Sequence, residues 1–479
     1  MDTKQLKQKI LDLAIRGKLV PQDPNDEPAS VLLERIRKEK EQLIASGKLK
    51  KSKSKTTDKP HYENVPFDIP QNWVWVRIKD IAISELGKTL DKGKNSGELN
   101  DYLCALNVKW GAFDLTTVKQ ILLEDKEKER YLVRKGDLLI CEGGDVGRAA
   151  IWENEKEIYY QNALHRVRFK GGIDQYFYLY ALQYYKHLGF IDDVSGGVTI
   201  KHFTQNSMQK LLFPLPPLTE QKRIADSIVQ WFALIDEIEA NKKDLQEYIK
   251  QTKSKVLDLA IHGKLVPQDP NDEPAIDLLK RINPSFKPCD TSHYENLPQG
   301  WCVASIEQLC SIIGGLWTGK KPPYVNVGVI RNTNFTKDFK LDLTNTAYLD
   351  VEAKQFANRR LQYGDIILEK SGGSEKQPVG RTILYNREEG DFSFSNFTAV
   401  LRIKNADCLL SQYLQYALVN AYLNGATRFM QKQTTGIHNL IMDKYTALMI
   451  PIPPLAEQKR IVEAIETIYK QLNAITAEL

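Results

Sequence analysis

The strongest constraint on this chain is a segment that occurs twice. Residues 11–29, LDLAIRGKLVPQDPNDEPA, recur at 257–275 as LDLAIHGKLVPQDPNDEPA, with Arg16 against His262 as the only difference. Chance does not produce such a match, so the chain contains an internal duplication. We therefore expect a fold built from two related halves.

Other paired segments extend the duplication along the chain. They are HYEN at 61–64 and 293–296, GDLLI at 136–140 with GDIIL at 364–368, and PLPPLTEQKRI at 214–224 with PIPPLAEQKRI at 451–461. Each GD segment is followed by a glycine-containing loop that ends in Gly-Arg. Between the shared segments the copies diverge into mixed, strand-rich sequence, which predicts two different α/β domains.

The middle of the chain, 217–261, predicts one uninterrupted helix with a heptad pattern. The a positions are Ile228, Ile235, Lys242, Ile249 and Val256, and the d positions are Trp231, Ile238, Leu245, Thr252 and Leu259. At about 1.5 Å per residue such a helix spans roughly 67 Å. The pattern is typical of a coiled coil, with a long core helix as the alternative.

The two ends of the chain supply the parts of a second such helix. The C-terminal phrase opens a heptad helix that stops about halfway along, and Leu6, Ile10 and Leu13 match Thr252, Val256 and Leu259 near the end of the central helix. Together the terminal pieces rebuild one copy of the central helix. This predicts a cyclic duplication with approximate two-fold symmetry, and we expect the central helix to pack antiparallel on the rebuilt one.

The predicted fold class is α+β, with two mixed α/β domains separated by long antiparallel coiled-coil helices. The predicted boundaries are 1–16 for the N-terminal helix, 17–215 for the first domain, 216–262 for the central spacer helix, 263–452 for the second domain and 453–479 for the C-terminal spacer helix.

Composition narrows the functional classes. The chain has 479 residues, of which 42% are apolar and 27% charged, and a net charge of +5, which permits a nucleic-acid partner without requiring one. Its six cysteines form no CxxC pair, so we expect no metal site and a reduced, cytoplasmic setting. An apolar run of 18 residues and a signal-peptide pattern are both missing, so we expect no membrane association.

The layout, with PLPPLxEQKRI, LDLAIxGKLVPQDPNDEPA and the paired GD segments, resembles the specificity (S) subunit of Type I restriction-modification enzymes over essentially the whole chain. The resemblance implies two target recognition domains that each read half of a split, asymmetric sequence in double-stranded DNA. It also implies docking of two modification (methyltransferase) subunits, with restriction subunits joining that core. Catalysis is absent from this subunit in the family, so S-adenosylmethionine, ATP and magnesium are expected on the partner subunits.

The motif search agrees with a non-catalytic chain. Adenine methyltransferases need an acceptor side chain before Pro-Pro-aromatic, whereas here Lys321 precedes Pro322, Pro323 and Tyr324, and lysine has no acceptor. Near matches to a phosphate-binding loop at 82–89 and 314–321 each lack a required residue. The alternatives are a self-contained DNA methyltransferase or nuclease, and a homodimeric coiled-coil DNA-binding regulator.

Polar loops inside each domain carry the side chains that read base edges and phosphates. The candidate DNA-binding residues of the first domain are Lys88, Asn107, Lys109, Arg148, Lys201 and His202. Those of the second domain are Lys320, Arg331, Asn332, Lys370, Ser371, Arg381, Lys432, Gln433 and Thr434. A lysine run within 48–59 is a solvated segment or a phosphate contact.

The LVPQDPNDEPA segment keeps its sequence in both copies while its surroundings diverge. This suggests that both copies meet the same partner surface, and Asp26 and Asp272 are the candidate subunit-docking residues. The alternative is that the segment is a structural brace shared by the two halves.

Overall fold

The computed structural model describes residues 2–47, 65–91, 93, 95–197, 201–290, 294, 297–316, 321–434 and 436–479. The chain forms two compact units, Met1–Asn241 and Lys242–Leu479, called here the first and the second unit. The boundary between them falls inside one long helix, Leu218–Ile261. The helix predicted over 217–261 is therefore confirmed.

The first unit combines long helices with short strands. Its helices are α1 (Thr3–Ile15), α2 (Ala29–Ala45), α3 (Ile78–Ile81), α4 (Asp125–Tyr131), α5 (Gln175–His187), α6 (Phe190–Val194), α7 (Gln205–Met208) and the first part of α8 (Leu218–Ile261). Its strands are β1 (Val74–Val76), β2 (Ala82–Leu86), β3 (Glu98–Leu103), β4 (Val108–Lys109), β5 (Ala112–Phe113), β6 (Lys119–Leu123), β7 (Leu132–Val133), β8 (Leu138–Cys141), β9 (Ala149–Ile151), β10 (Ile158–Tyr160), β11 (Leu164–Phe169) and β12 (Phe213–Leu215).

The second unit contains the end of α8 and a comparable series. Its other helices are α9 (Ala275–Ile282), α10 (Ile306–Leu309), α11 (Ala353–Arg359), α12 (Ser411–Leu423), α13 (Met442–Thr446) and α14 (Leu455–Glu478), with 3₁₀ turns at Asn332–Asn334 and Ala426–Met430. Its strands are β13 (Cys302–Ser305), β14 (Cys310–Gly314), β15 (Tyr324–Ile330), β16 (Ala347–Glu352), β17 (Ile366–Glu369), β18 (Ser371–Gly373), β19 (Thr382–Leu384), β20 (Phe392–Phe394), β21 (Thr398–Ile403), β22 (Gln431–Thr434), β23 (Ile437–Leu440) and β24 (Met449–Ile452).

A four-stranded antiparallel sheet is the centre of each unit. Its order is β2-β11-β8-β9 in the first unit and β14-β21-β17-β19 in the second. The paired GD segments form β8 and β17, whose residues are all buried. Side chains alternate along β8: Leu138 and Ile140 join the core that contains α5, and Leu139 and Cys141 join the core shared with β3 and β10. Burial on both faces explains why these strands are continuous apolar runs.

In the first unit, the repeated segment is fastened to the start of α8 by a buried network. Trp73 Nε1 donates to Glu220 Oε2 at 2.9 Å, and Gln22 Nε2 donates to Glu220 Oε1. Arg223 forms an ion pair with Asp26 at 2.5 Å. Burial raises the pKa of the Glu220 carboxyl, while the donors from Trp73 and Gln22 oppose that rise.

The second unit repeats this network at the start of α14. Trp301 Nε1 donates to Glu457 Oε2 at 2.9 Å, Gln268 Nε2 donates to Glu457 Oε1 at 2.6 Å, and Arg460 pairs with Asp272 at 2.7 Å. We call each of these networks the brace. The brace explains why Gln22 and Asp26 recur as Gln268 and Asp272, and subunit docking through Asp26 and Asp272 stays a prediction.

The glycine inside the repeat is required by a close approach. Gly17 has a φ of +68°, and a Cβ on it would lie 2.4 Å from Pro70 Cγ. Gly263 has a φ of +67°, and its Cβ would lie 2.2 Å from Pro298 Cγ. Each close approach involves the proline that precedes the tryptophan of the brace. The glycine therefore helps to position that tryptophan.

The only difference within the repeat also has a structural reason. The first copy contains Phe67, whose ring lies 4.7 Å from the Arg16 guanidinium and 5.0 Å from the Trp75 ring. The segment between HYEN and the tryptophan is shorter in the second copy and has no counterpart of Phe67. There His262 lies 6.0 Å from the Tyr294 ring. Arg16 therefore contacts Phe67 in the first unit, and His262 contacts Tyr294 in the second.

The heptad pattern of α8 is buried along only one of its two rows. The a residues Ile228, Ile235, Ile249 and Val256 are buried. The d residues Trp231, Ile238 and Leu245 are 46%, 38% and 39% exposed, and antiparallel packing of α8 on the rebuilt helix stays a prediction. Ile228 and Ile235 join the core of the first unit, and Val256 joins that of the second. The exposed d residues, together with Leu234, are called here the apolar stripe.

The brace predicts a pH-dependent contribution of Asp26 to stability. Hydrogen bonding from Arg223 lowers the pKa of the Asp26 carboxyl, so the charged form stabilises the folded state at neutral pH and this contribution is lost as the pH falls through about 4 and below. Asp26→Asn should lower the free energy of unfolding by about 0.5–1 kcal/mol at pH 7. The difference from the wild type should shrink as the pH falls through and below the range in which an unfolded aspartate titrates, about 4.

Urea unfolding of both proteins at several pH values measures this difference. Asp125→Asn, at an exposed position of the same unit, is the matched control and should leave stability unchanged at every pH. A difference that grows on acidification would contradict the assigned role of Asp26.

Candidate nucleic-acid interface

In the first unit the two polar loops predicted to read DNA come together. The loop that follows β8, 142–148, is joined to residues 201–203 by an antiparallel bridge between Gly143 and His202. Phe203 N donates to Glu142 O at 2.7 Å and fixes the base of the second loop. Segments far apart in sequence therefore form one polar surface at the end of the central sheet.

The second unit brings the same two regions together as a small sheet. Its strand order is β18-β23-β22, in which β22 and β23 form a hairpin and β18 follows the central strand β17. Lys432 and Gln433 on β22 are exposed. Leu440 N donates to Lys370 O at 2.7 Å, as Phe203 N does to Glu142 O in the first unit.

The predicted residues of the first unit divide by exposure. Lys109, Lys201 and His202 are exposed, and Lys201 Nζ donates to Asp192 O at 3.2 Å. Lys88 is mostly buried in an ion pair with Glu127. Arg148 is half-buried; its Nη2 donates to Ala105 O at 2.8 Å, and its Nη1 lies 3.5 Å from the Asp145 carboxylate.

Asn107 holds its own loop together. It is buried, its Oδ1 accepts from Cys104 N at 2.9 Å, and its Nδ2 donates to the carbonyl oxygens of Asp114 and Thr117 at 2.9 Å. Every polar atom of the side chain has an internal partner, so this geometry describes a positioning residue and not a base contact.

The predicted residues of the second unit cluster more closely. Arg331 is exposed, and Asn332 Nδ2 donates to Ser371 O at 2.6 Å, which ties the 3₁₀ turn to β18. Lys370 and Ser371 are partly exposed beside them. Thr434 belongs to β22, its side chain lies outside the described part of the structure, and Lys320 and the lysine run 48–59 also lie outside the described residues.

Arg381 is committed to an internal ion pair. It donates to both carboxylate oxygens of Glu369, at 2.7 and 2.9 Å, and the Glu369 side chain is only 4% exposed. The guanidinium also lies 5.5 Å from the Phe335 ring. A buried carboxylate needs such a partner, so the sequence signal Gly-Arg after the loop marks a loop anchor.

Within the described ranges there is no group of three His, Cys, Asp or Glu side chains that could hold a metal ion. In the same part of the chain no helix is long and apolar enough to cross a membrane.

Comparison with known proteins assigns the chain to a family. Residues 70–247 and 298–479 each match the Type I restriction modification DNA specificity domain. The chain belongs to the Type I restriction-modification specificity family. The first matched region lies almost entirely within the first unit, and the second lies within the second unit.

Individual relatives extend this assignment over the whole length. The Type I restriction enzyme EcoEI specificity subunit of Escherichia coli is 25% identical, with 99% of this chain and 90% of that protein covered. The EcoAI specificity subunit of Escherichia coli is 26% identical, with 98% and 90% covered. The crystal structure of the HsdS subunit from Thermoanaerobacter tengcongensis has the same fold, with a TM-score of 0.52 at 19% identity over 86% of this chain and 93% of that chain.

Three residues beside the candidate DNA-binding residues were not predicted from the sequence. Phe429, which is 83% exposed, and Phe397 lie on the surface of the second unit near β22 and β18. Glu142 lies where the two loops of the first unit meet. Aligning GDLLICE with GDIILEK pairs Glu142 with Lys370, so the repeat itself contained the signal for Glu142.

The Arg381–Glu369 pair predicts that Arg381 stabilises its loop, whereas the exposed Arg331 contributes little to stability. Arg381→Ala should leave Glu369 buried without its cation and lower the free energy of unfolding by about 3–5 kcal/mol. Arg331→Ala removes an exposed arginine from the same unit and should change stability by less than about 0.5 kcal/mol.

Urea unfolding of the two variants makes the comparison. The double variant Arg381→Met with Glu369→Leu removes both charges and should recover most of the lost stability. Equal stability of Arg381→Ala and the wild type would show that the pair is not an anchor.

Proposed function

We propose that this specificity subunit reads a split, asymmetric sequence in double-stranded DNA, with one half-site bound by each unit. The observation that carries the proposal is the meeting of two polar loops in each unit, at the same end of its central sheet and with different side chains. Lys109, Lys201 and His202 would contact one half-site, and Arg331, Lys432 and Gln433 the other. Cations bind phosphates, and amide and guanidinium groups read base edges in the major groove.

We further propose that long helices form the spacer between the half-sites. Within the first unit α1 contacts α8 through the Lys7–Asp236 ion pair, and within the second unit Tyr469 of α14 donates to Lys253 O at 2.9 Å. These contacts support pairing of both terminal helices with α8 in an antiparallel coiled coil with two-fold pseudo-symmetry. The 44 residues of α8 span about 66 Å, so the number of unread base pairs should be constant.

The apolar stripe on α8 is the surface proposed for the modification subunits. An exposed row of Trp231, Leu234, Ile238 and Leu245 on one helix is apolar enough to bind a helical partner. The relatives are specificity subunits of restriction enzymes, which supports modification and restriction subunits as partners. Two modification subunits are proposed.

Catalysis is assigned to those partners. We propose that this chain works in the cytoplasm and holds no S-adenosylmethionine, ATP or magnesium of its own. Methylation by the chain itself is disfavoured because Lys321 occupies the acceptor position of a methyltransferase motif. Calorimetry of the purified chain with S-adenosylmethionine is the direct test. Stoichiometric binding would favour the alternative that the chain is a self-contained DNA methyltransferase.

Selection of bound duplexes from a randomised pool, with the full chain, tests the reading function. The wild type should select two short fixed sequences at a constant gap. Arg331→Ala should relax one half-site by about 1–3 kcal/mol of discrimination, and Lys109→Ala should weaken binding through the other unit only. A variable gap would refute the helical spacer, and equal losses in both half-sites would refute separate reading by the two units.

The apolar stripe is tested by placing charge on it. Trp231→Asp with Ile238→Asp should lower association with the modification subunit at least tenfold, because burying an unpaired carboxylate in an interface is costly. Native mass spectrometry measures the complex, and duplex selection by the variant alone should be unchanged. Glu237→Lys, a charge reversal at an exposed position of the same helix, is the control. Undiminished assembly of the double variant would place the docking surface elsewhere.

A further inference from the structure

Glu142 has the same backbone position in the first unit as Lys370 has in the second. Glu142 N donates to Ala163 O at 2.9 Å and Glu142 O accepts from Phe203 N at 2.7 Å. Lys370 N donates to Phe397 O at 3.0 Å and Lys370 O accepts from Leu440 N at 2.7 Å. Each residue follows the central strand of its sheet directly, at the junction of the two reading loops.

One oxygen of the Glu142 carboxylate, Oε2, has no donor at this junction. That oxygen is removed from solvent and accepts no hydrogen bond from any described residue, and the side chain as a whole is 18% exposed. A carboxylate oxygen in this state costs free energy until a donor reaches it. Burial raises the pKa of the Glu142 carboxyl, in keeping with an environment short of donors.

The nearest imidazole does not supply that donor. His165 Nε2 lies 3.6 Å from Glu142 Oε2, but it is 3.0 Å from Phe203 O, to which its proton is directed. Burial lowers the pKa of His165 to about 4, so the ring is neutral at physiological pH and is no counter-ion. His202, which bridges Gly143 and Gly196 from the second loop, is exposed, and its electrostatic interaction with Glu142 opposes the rise in the pKa of that carboxyl.

Acceptor and donor side chains select different base edges. A carboxylate accepts from the exocyclic amino group of cytosine or adenine in the major groove, whereas a lysine donates to the O6 and N7 atoms of guanine. The two units therefore offer opposite hydrogen-bonding groups on one shared backbone frame. Two units of the same fold can therefore recognise different bases in the two half-sites.

We propose that residues 142 and 370 are a matched pair of specificity positions: Glu142 accepts from an amino-bearing base in the first half-site, and Lys370 donates to guanine in the second. The inference rests on the proposed reading of a split DNA sequence. It adds the chemical class of one base in each half-site.

Duplex selection with the full chain tests the pair. Glu142→Gln keeps the size of the side chain and should lower the preference for cytosine or adenine at one position of the first half-site by about tenfold, with the second half-site unchanged. Glu142→Lys should move that position to guanine, and Lys370→Glu should move one position of the second half-site from guanine to cytosine or adenine. Glu155→Gln, at an exposed carboxylate of the first unit, is the matched control and should change nothing.

The outcomes separate this inference from the proposed function. If the wild type selects no sequence, the reading function itself fails. If the wild type selects a split sequence but neither Glu142→Gln nor Lys370→Glu changes the base at any position, the pairing of residues 142 and 370 is refuted. Equal relaxation of all first half-site positions by Glu142→Gln, with a lowered melting temperature, assigns Glu142 a structural role and also overturns the inference.

Discussion

The buried hydrogen bond between a tryptophan indole and a glutamate carboxylate, at Trp73–Glu220 and Trp301–Glu457, sets the architecture of each unit. The glutamate belongs to the first turn of a long helix and the tryptophan to the start of a reading domain. A buried carboxylate without donors is costly, so helix and domain are held in one arrangement. Loops that read DNA must be placed accurately relative to the spacer, and the brace provides that placement in both units.

Much of the fold could be predicted because the two halves of the chain can be aligned with each other. Paired segments located both reading domains, the start of each long helix and the central strands β8 and β17. Burial could not be predicted for α8, since a heptad pattern marks apolar positions without naming their partner. Ile228, Ile235 and Val256 of its a row join the cores of the units, while Trp231 and Ile238 of the d row remain exposed.

The site was harder to predict than the fold, and the reason is physical. Lys109 and Arg331 were identified as polar loop residues and are exposed, but Asn107 and Arg381 were identified by the same criterion and bond inward. Whether a polar side chain faces water depends on a partner distant in sequence, such as Glu369 for Arg381. Glu142 was overlooked because a carboxylate is not the usual partner of a polyanion, although base edges also present donors.

Each unit is one continuous stretch of chain, and this has a consequence for biosynthesis. Residues 1–241 contain α1, the complete first reading domain, its brace and the part of α8 against which they pack. All of these partners have left the ribosome before most of the second unit is translated, so the first unit can fold while synthesis continues. The second unit then repeats the process and ends with α14. A break in translation near the middle of α8 would therefore release a folded half-length protein and not an unstructured fragment.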